Sequence, residues 1–566
     1  MLQFNDAIEE KKLNELRYQE AEELARVLST KYQLPYIDLS KFAINTDALR
    51  LISEAEARAA NVAAFKLTGK NLFLVTVSPK NEKLGAILED LRNKNYVLNL
   101  YLGSEASLAR AWERYVEISK STRTHAGVID IASDDIARIT EEVKDVKDVS
   151  RLIAKEEQTS KEEGGISGLL EVILAGGIVT GASDIHVEPQ EEAVRLRYRL
   201  DGVLQDVSLF PHHLFHQLLS RVKLISNLKL NVQKSAQDGR FSIDIKDTEI
   251  EIRTSILPGA YGESIVLRIL NPETIAATFE TLGVEPRLYQ IMAEEIRKPN
   301  GMVLLTGPTG SGKTTTLYAF LRQISTTENK TITIEDPIEY HLKGVNQTQV
   351  NRAKDYTFLT GLRSALRQDP DVIMIGEIRD SETAKTAIHA ALTGHLVFST
   401  LHTNNAAGAI PRLIDLGVNP KILDAALTLS IAQRLVRKLC QNCRQEIAPT
   451  PEEKKLLEKV RESILRRRPD LEVPTVENIW QAAKVGCDQC HHTGYRGREG
   501  IFEALRMDSN VAKILTTNLN EREVKIAALP QGILDMRQDG VIKVIKGITT
   551  LDELGRVVDL TEEILG

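Results

Sequence analysis

The sequence predicts a multidomain α/β protein, and three observations predict it. The chain has 566 residues, which at about 150 residues per domain means roughly four domains. From residue 302 onward, apolar runs of strand length alternate with helical patterns, as in a parallel sheet with helices on its faces. The first of those runs opens directly into a glycine-rich loop and then a helix. Composition agrees: 42% hydrophobic and 27% charged residues are ordinary for a globular chain. The balance of 72 Lys and Arg against 79 Asp and Glu, net −7, argues against a protein whose main task is to coat nucleic acid or an anionic membrane. Four cysteines are too few for a disulfide scaffold.

Taken in order, residues 1–30 read as a polar helix, and 1–118 as an N-terminal α+β docking domain. Within it NLFLVTVS (71–78) and YVLNLYLG (96–103) have strand patterns, and EKLGAILEDLRN (82–93) is an amphipathic helix. Residues 119–165 are charged, poor in aromatics and end in Gly-Gly, which predicts a partly helical linker. Residues 1–20 are charged throughout and do not read as an export signal. The longest apolar stretch, 164–182, contains Glu171 and six glycines, so a helix against a core is expected rather than a membrane span. A second α+β domain covers 166–272, with strands expected at 194–207, 240–257 and 264–270. The α/β core covers 280–437, a cysteine-bearing insert 438–500, and a helical region 501–566.

The chemistry concentrates in the α/β core. MVLLT (302–306) leads into Gly307, Pro308, Thr309, Gly310, Ser311, Gly312, Lys313 and Thr314, followed by Thr315 and a helix. This is the G-x-x-x-x-G-K-[ST] phosphate loop in its strand–loop–helix setting. The glycines let backbone N–H groups turn inward around a triphosphate, and the helix adds its positive N-terminus. Lys313 is placed to neutralise β/γ oxygens of ATP, and the Thr314 hydroxyl to ligate Mg²⁺.

Three further strands end in polar groups: TITI before Glu335 and Glu339, VIMI before Gly376 and Glu377, and LVFSTL before His402. Open α/β sheets bind ligands outside the carboxyl ends of their strands, so these groups are expected to converge on the phosphate loop. Gly376 stands where many nucleotide hydrolases have Asp. Glu339 and Glu377 are therefore the candidates to orient the attacking water, and Glu335 to help bind the nucleotide. The plainer alternatives are a solvated loop carboxylate for Glu339 and a strand cap for His402. His389 and His395 read as structural.

All four cysteines fall into two Cys-x-x-Cys pairs, Cys440 with Cys443 and Cys487 with Cys490, a strong tetrathiolate Zn²⁺ pattern. The alternative is a pair of redox motifs. A zinc ribbon for nucleic acid is a further one, given the basic stretches RLVRKLC, ILRRRP and YRGREG, but aromatic stacking residues are missing around them. The His212, His213, His216 cluster has no acid or cysteine at ligand spacing and reads as a helix start.

The motifs GPTGSGKTTT, ITIEDPIEY, LRSALRQDPDVIMIGEIRD and ALTGHLVFSTLHTN resemble, in order, the Walker A, Asp box, Walker B and His box of the type II/IV secretion ATPase family. ASDIHVEP, RYRLDG and QDGR look like the same family. The resemblance is to the GspE/PilB branch, most like a type IV pilus assembly ATPase. The cysteine insert and N-terminal domain set it apart from retraction motors of the PilT branch. It implies a RecA-like P-loop ATPase core after a PAS-like second domain, in a homohexameric motor. The motor would lie on the cytoplasmic face of the inner membrane and drive pilus or type II secretion pseudopilus assembly. Implied partners are an inner-membrane platform protein and a membrane-anchored docking protein, without direct nucleic-acid contact. It further implies that Arg253 and Arg268, and more weakly Arg240, reach the nucleotide from the second domain. A surface ion pair is the alternative for each. Some relatives bind cyclic di-GMP through a motif beginning Arg-Leu-Gly, which is absent from residues 1–30.

Overall fold

The computed structural model describes residues 20–561 except 40, 41, 43, 45, 50, 69, 94, 95, 116–132, 144, 164–166, 246, 247, 272–276, 518 and 519. The chain divides into two compact units, Met1–Ser133 and Asp134–Gly566.

In the first unit, residues 20–32 are helical, and the rest of the polar helix expected over 1–30 lies outside the described residues. Strands β1 (Val62–Thr68) and β2 (Asn71–Thr76) pair antiparallel, and β2 pairs parallel with β3 (Val97–Leu102). The parallel pair needs a crossover, supplied by the helix Glu82–Asn93. Glu22 is buried and accepts hydrogen bonds from Tyr36, Ser104 and Ser107, which replace the water its carboxylate gave up.

The helix Ser133–Glu142 begins at the boundary and leads the second unit, followed by the helix Val146–Glu163, both within the stretch expected as a charged, partly helical linker. Val149, Leu152 and Ile153 are buried, so one face of that polar sequence is committed to a core. It packs on the helix Ser167–Val179, which is the apolar stretch expected to lie against a core. Gly176 makes that approach possible, since a Cβ there would lie 2.5 Å from Val149 and 2.8 Å from the Tyr198 hydroxyl. Glu171 is buried and pairs with Arg221 at 2.9 Å. Among the described residues no helix is long and apolar enough to cross a membrane.

An antiparallel six-stranded sheet follows: β4 (Asp184–Pro189), β5 (Val194–Leu200), β6 (Val203–Phe210), β7 (Gln237–Ile245), β8 (Thr248–Gly259) and β9 (Gly262–Leu270), in the order β6-β5-β4-β9-β8-β7. Its alternation is clean in β5, where Val194, Leu196, Tyr198 and Leu200 are buried. The register puts Arg199, Asp184, Arg268, Arg253 and Arg240 directly opposite one another in one row across five strands. Directly opposed residues share a face, so this row sets four guanidiniums and one carboxylate side by side.

The core sheet contains β10 (Gly301–Thr306), β11 (Thr331–Glu335), β12 (Asn346–Gln349), β13 (Val372–Ile375), β14 (Leu396–Leu401) and β15 (Leu427–Leu439), all parallel. The excursion after β15 carries the small antiparallel pair β16 (Gln445–Ile447) and β17 (Ile479–Gln481). The chain then returns as β18 (Tyr495–Arg506), antiparallel to β15, giving the order β12-β11-β13-β14-β10-β15-β18. β18 begins in the expected insert and ends in the stretch expected as helical, because its residues complete the sheet edge beside β15. Every residue of β10, β11, β13 and β14 is buried, which explains their unbroken apolar character.

Leu304 lies on fully buried β10. Leu304→Ala is expected to cost about 3 kcal/mol through lost contact and cavity formation. Thermal unfolding of the purified variant, compared with wild type, checks this.

Candidate nucleotide and metal sites

The phosphate loop emerges from β10 and caps the helix Lys313–Ile324. Gly307 and Gly312 have φ of +148° and +88°. At Gly307 a Cβ would lie 2.6 Å from the Gln433 carbonyl, and at Gly312 one would lie 2.8 Å from the Gln433 amide nitrogen. Only glycine satisfies both the backbone and the neighbour. Pro308, Thr309 and Gly310 are exposed, Ser311 is buried, and Thr314 and Thr315 are partly exposed on the first helical turn. Lys313 Nζ donates to the carbonyls of Gly307 at 2.8 Å and Pro308 at 2.9 Å. Burial holds its ammonium down to about 8; nearby Glu377 opposes that shift and Arg434 adds to it.

The strand ends gather beside this loop. His402 Nε2 lies 3.3 Å from Glu377, whose other oxygen pairs with Arg379. The loop that carries His402 is tied to the end of β10, since Thr403 N donates to Thr306 Oγ1 at 2.8 Å. Gly376 is tightly placed: a Cβ would lie 3.3 Å from both the Ile334 carbonyl and the Phe358 ring. Glu335 turns inward instead. Its buried carboxylate accepts from Tyr318, Thr333 and Gln347, and burial raises its pKa against those hydrogen bonds. Glu339 leaves the core and meets the arginine row, where Arg253 Nη1 donates to its Oε2 at 2.9 Å and Arg253 Nη2 to the Ile338 carbonyl. Arg268 is held by Asp184 at 2.9 Å, and Arg199 approaches the same carboxylate at 3.3 Å. Arg240 is exposed at the end of the row. A cleft of about 670 Å³ is lined by Arg268 on one side and Gly312 and Thr315 on the other.

Sequence reasoning assigned no role to Arg379, Tyr318, Gln433 or Arg434. Thr316 Oγ1 donates to Gln433 at 2.8 Å, and the Arg434 guanidinium would lie 3.2 Å from a Cβ at Gly307. Gln433 and Arg434 come from β15, far along the chain, and no motif spacing announces them. Arg379 stood inside a quoted motif and is found only through its contact with Glu377.

The four cysteine sulfurs all lie within 4.8 Å of one another, with no histidine in the cluster. Separations of 3.7 Å (Cys440 to Cys487) and 3.8 Å (Cys443 to Cys490, Cys487 to Cys490) are far too long for disulfides. Cys490 Sγ accepts from the backbone N–H of Cys487 and of Gly494, each at 3.2 Å. Asn442 donates to Cys487 at 3.4 Å and brings that thiol down to about 6, while burial pushes Cys440 and Cys443 up. Convergent sulfurs with N–H donors aimed at them suit a bound metal cation, which would hold all four as thiolates.

The lowered pKa of Lys313 has a sign that can be tested. The nucleotide-free fold binds fewer protons at this site than the unfolded chain between about 8 and the ordinary value near 10.5. A polyphosphate favours the ammonium, so binding takes up a proton there. Nucleotide affinity is therefore expected to weaken as pH rises through about 8, and Lys313→Arg to flatten that dependence, as titration of a fluorescent ADP across pH would report.

Comparison with known proteins places this geometry. The model of the family described as Type II/IV secretion system protein matches residues 159–556, and that of the MshEN domain matches 32–122. The chain is 44% identical over 397 residues to the Type II secretion system protein E of Aeromonas hydrophila, covering 70% of this chain and 76% of that one. It is 36% identical over 548 residues to the Type IV pilus assembly ATPase PilB of Thermus thermophilus, covering 95% of this chain but only 58% of that longer protein. Among solved structures, the ATPase DotB of Yersinia pseudotuberculosis shares the fold, with a TM-score of 0.50 and 19% identity over 69% of this chain and 94% of that one. The family match takes in the arginine row, the phosphate loop and the cysteine cluster together, and the chain belongs to the type II/IV secretion system protein family as a P-loop ATPase with an MshEN domain.

Proposed function

We propose that this chain is a motor coupling ATP hydrolysis to assembly of a type IV pilus or a type II secretion pseudopilus. It works as a homohexamer on the cytoplasmic face of the inner membrane, with a platform protein and a membrane-anchored docking protein as partners. The observation that carries the reading is the ion pair of Arg253 with Glu339. It joins the arginine-bearing sheet to the phosphate-loop core at 2.9 Å.

In this reading the phosphate loop binds ATP through its backbone N–H groups and Lys313, releasing Nζ from the carbonyls of Gly307 and Pro308. The Thr314 hydroxyl would hold Mg²⁺, which would neutralise charge on the phosphates. Glu377 orients the attacking water, with Arg379 and His402 holding its carboxylate in place. Arg253 exchanges between Glu339 and the nucleotide's phosphates, which opens or closes the cleft as the phosphate charge changes. Arg268 and Arg240 add to the positive face. Glu335 braces β11 from inside and does not face the ligand.

The metal is zinc in this reading. A Zn–S distance of about 2.3 Å in a tetrahedron separates sulfurs by about 3.8 Å, and the three separations given above are 3.7 or 3.8 Å. The first unit is the docking module. A nucleic-acid motor gains no support from the relatives, which are named for secretion and pilus assembly.

Lys313→Ala is expected to abolish ATP turnover without unfolding the protein. Glu377→Gln should lower kcat by about 10² while ADP still binds; near-normal kcat would remove Glu377 from the mechanism. Arg253→Ala and Glu339→Gln should both reduce kcat, and the double variant should be no worse than the poorer single one, as members of one pair behave. Removing residues 1–133, at the boundary of the first unit, should leave turnover of the assembled ring largely intact but abolish pilus assembly or secretion in cells.

A further inference from the structure

The cleft beside the phosphate loop has a third wall. Besides Gly312, Thr315 and Arg268, it is lined by residues that follow the second cysteine pair, among them His491, Thr493 and Arg496. The cysteine cluster therefore does not stand apart from the nucleotide-binding core, for Cys490 itself reaches the cleft.

Charge makes this wall more than a neighbour. The cleft's Asp201 accepts from Gly497 N at 2.9 Å, so its carboxylate is already engaged. Arg268 is held by Asp184. Arg496 is exposed and makes no ion pair among the described residues, so its guanidinium is available to an incoming anion. Gly312 and Thr315 of the phosphate loop and its helix line this cleft, so a nucleotide seated on the loop would border it. Its phosphate oxygens and sugar hydroxyls are the acceptors a guanidinium recognises.

The direction in which that wall leaves the cluster depends on the sulfurs. Gly494 has φ of +77° and donates its N–H to Cys490 Sγ, while its carbonyl accepts from Cys440 N at 3.0 Å. Thr493 Oγ1 donates to the carbonyls of Cys490 and Tyr495, each at 2.7 Å. The turn from Cys490 to Tyr495 is thus fixed on both sides by groups bonded to the cluster. Without a metal to gather the four sulfurs, those anchors lose their common origin.

We infer that the segment His491–Gly497 is a wall of the nucleotide cleft, that Arg496 contacts bound nucleotide, and that metal occupancy at the four cysteines and nucleotide occupancy are linked. This rests on the nucleotide-binding reading of the phosphate loop. Linkage of this kind is reciprocal: whatever factor zinc contributes to ADP affinity, ADP contributes to zinc retention.

The test uses the full chain, fluorescent ADP, and zinc release into a chromophoric chelator. Arg496→Ala should keep its zinc and bind ADP about tenfold more weakly, the loss of one charge-assisted hydrogen bond, and Arg496→Lys should recover part of that. Cys443→Ser, which removes a ligand outside the cleft lining, should lose zinc and also weaken ADP binding. Saturating ADP should slow zinc release from the wild-type protein. The inference is overturned if ADP binds wild type normally, Lys313→Ala abolishes that binding, and yet zinc release is indifferent to ADP and Arg496→Ala binds like wild type. If wild type binds no ADP and Lys313→Ala changes nothing, the nucleotide reading fails and this inference with it.

Discussion

The contact on which the active core depends is the one between the phosphate loop and Gln433. Gly307 and Gly312 pass so close to this residue of β15 that neither tolerates a Cβ, and Thr316, on the following helix, is hydrogen-bonded to its side chain. A loop of exposed glycine, proline and threonine would otherwise sample many shapes at a large entropic cost. Pressed against β15, which is paired on both sides by β10 and β18, it has one. The helix N-terminus and the Lys313 ammonium are then preorganised for phosphate.

Around that fixed point the molecule distributes charge in opposed sets. The six-stranded sheet presents four arginines and one aspartate in register, an arrangement that costs energy unless anions complete it. Asp184 satisfies two of them from within the sheet, and Glu339 reaches across from the core to satisfy a third. In the proposed mechanism a triphosphate would compete with Glu339 for Arg253, and that exchange would change how the two sheets are joined.

The cysteine cluster has a topological reason to exist. Cys440 follows the last residue of β15, and Cys490 lies just before β18, with Leu439 and Tyr495 paired in register. These neighbouring strands are connected by a long excursion holding the helix Pro451–Arg467 and the pair β16–β17. Closing so long a loop costs entropy, and a metal held by the four cysteines at its base would offset that cost by tying the end of β15 to the start of β18. β15 is also the strand that shapes the phosphate loop, so the cysteine cluster and the phosphate loop share a single element.

Much of this was legible in the sequence. The phosphate loop, the apolar strands that end in Glu335, Glu377 and His402, the helix 82–93 and the cysteine pairs are all local patterns, set by backbone requirements within a few residues. What the sequence left open is long-range. That Glu335 turns inward to Tyr318 and Glu339 outward to Arg253 depends on how β11 is flanked. That Arg199, Asp184, Arg268, Arg253 and Arg240 share one row is a matter of strand register. That Gln433 moulds the loop follows from β15 lying beside β10. Local periodicity reports what each residue needs. Which distant residue supplies it is decided only when the strands pair, because sheet order and register arise from packing the whole buried core at once.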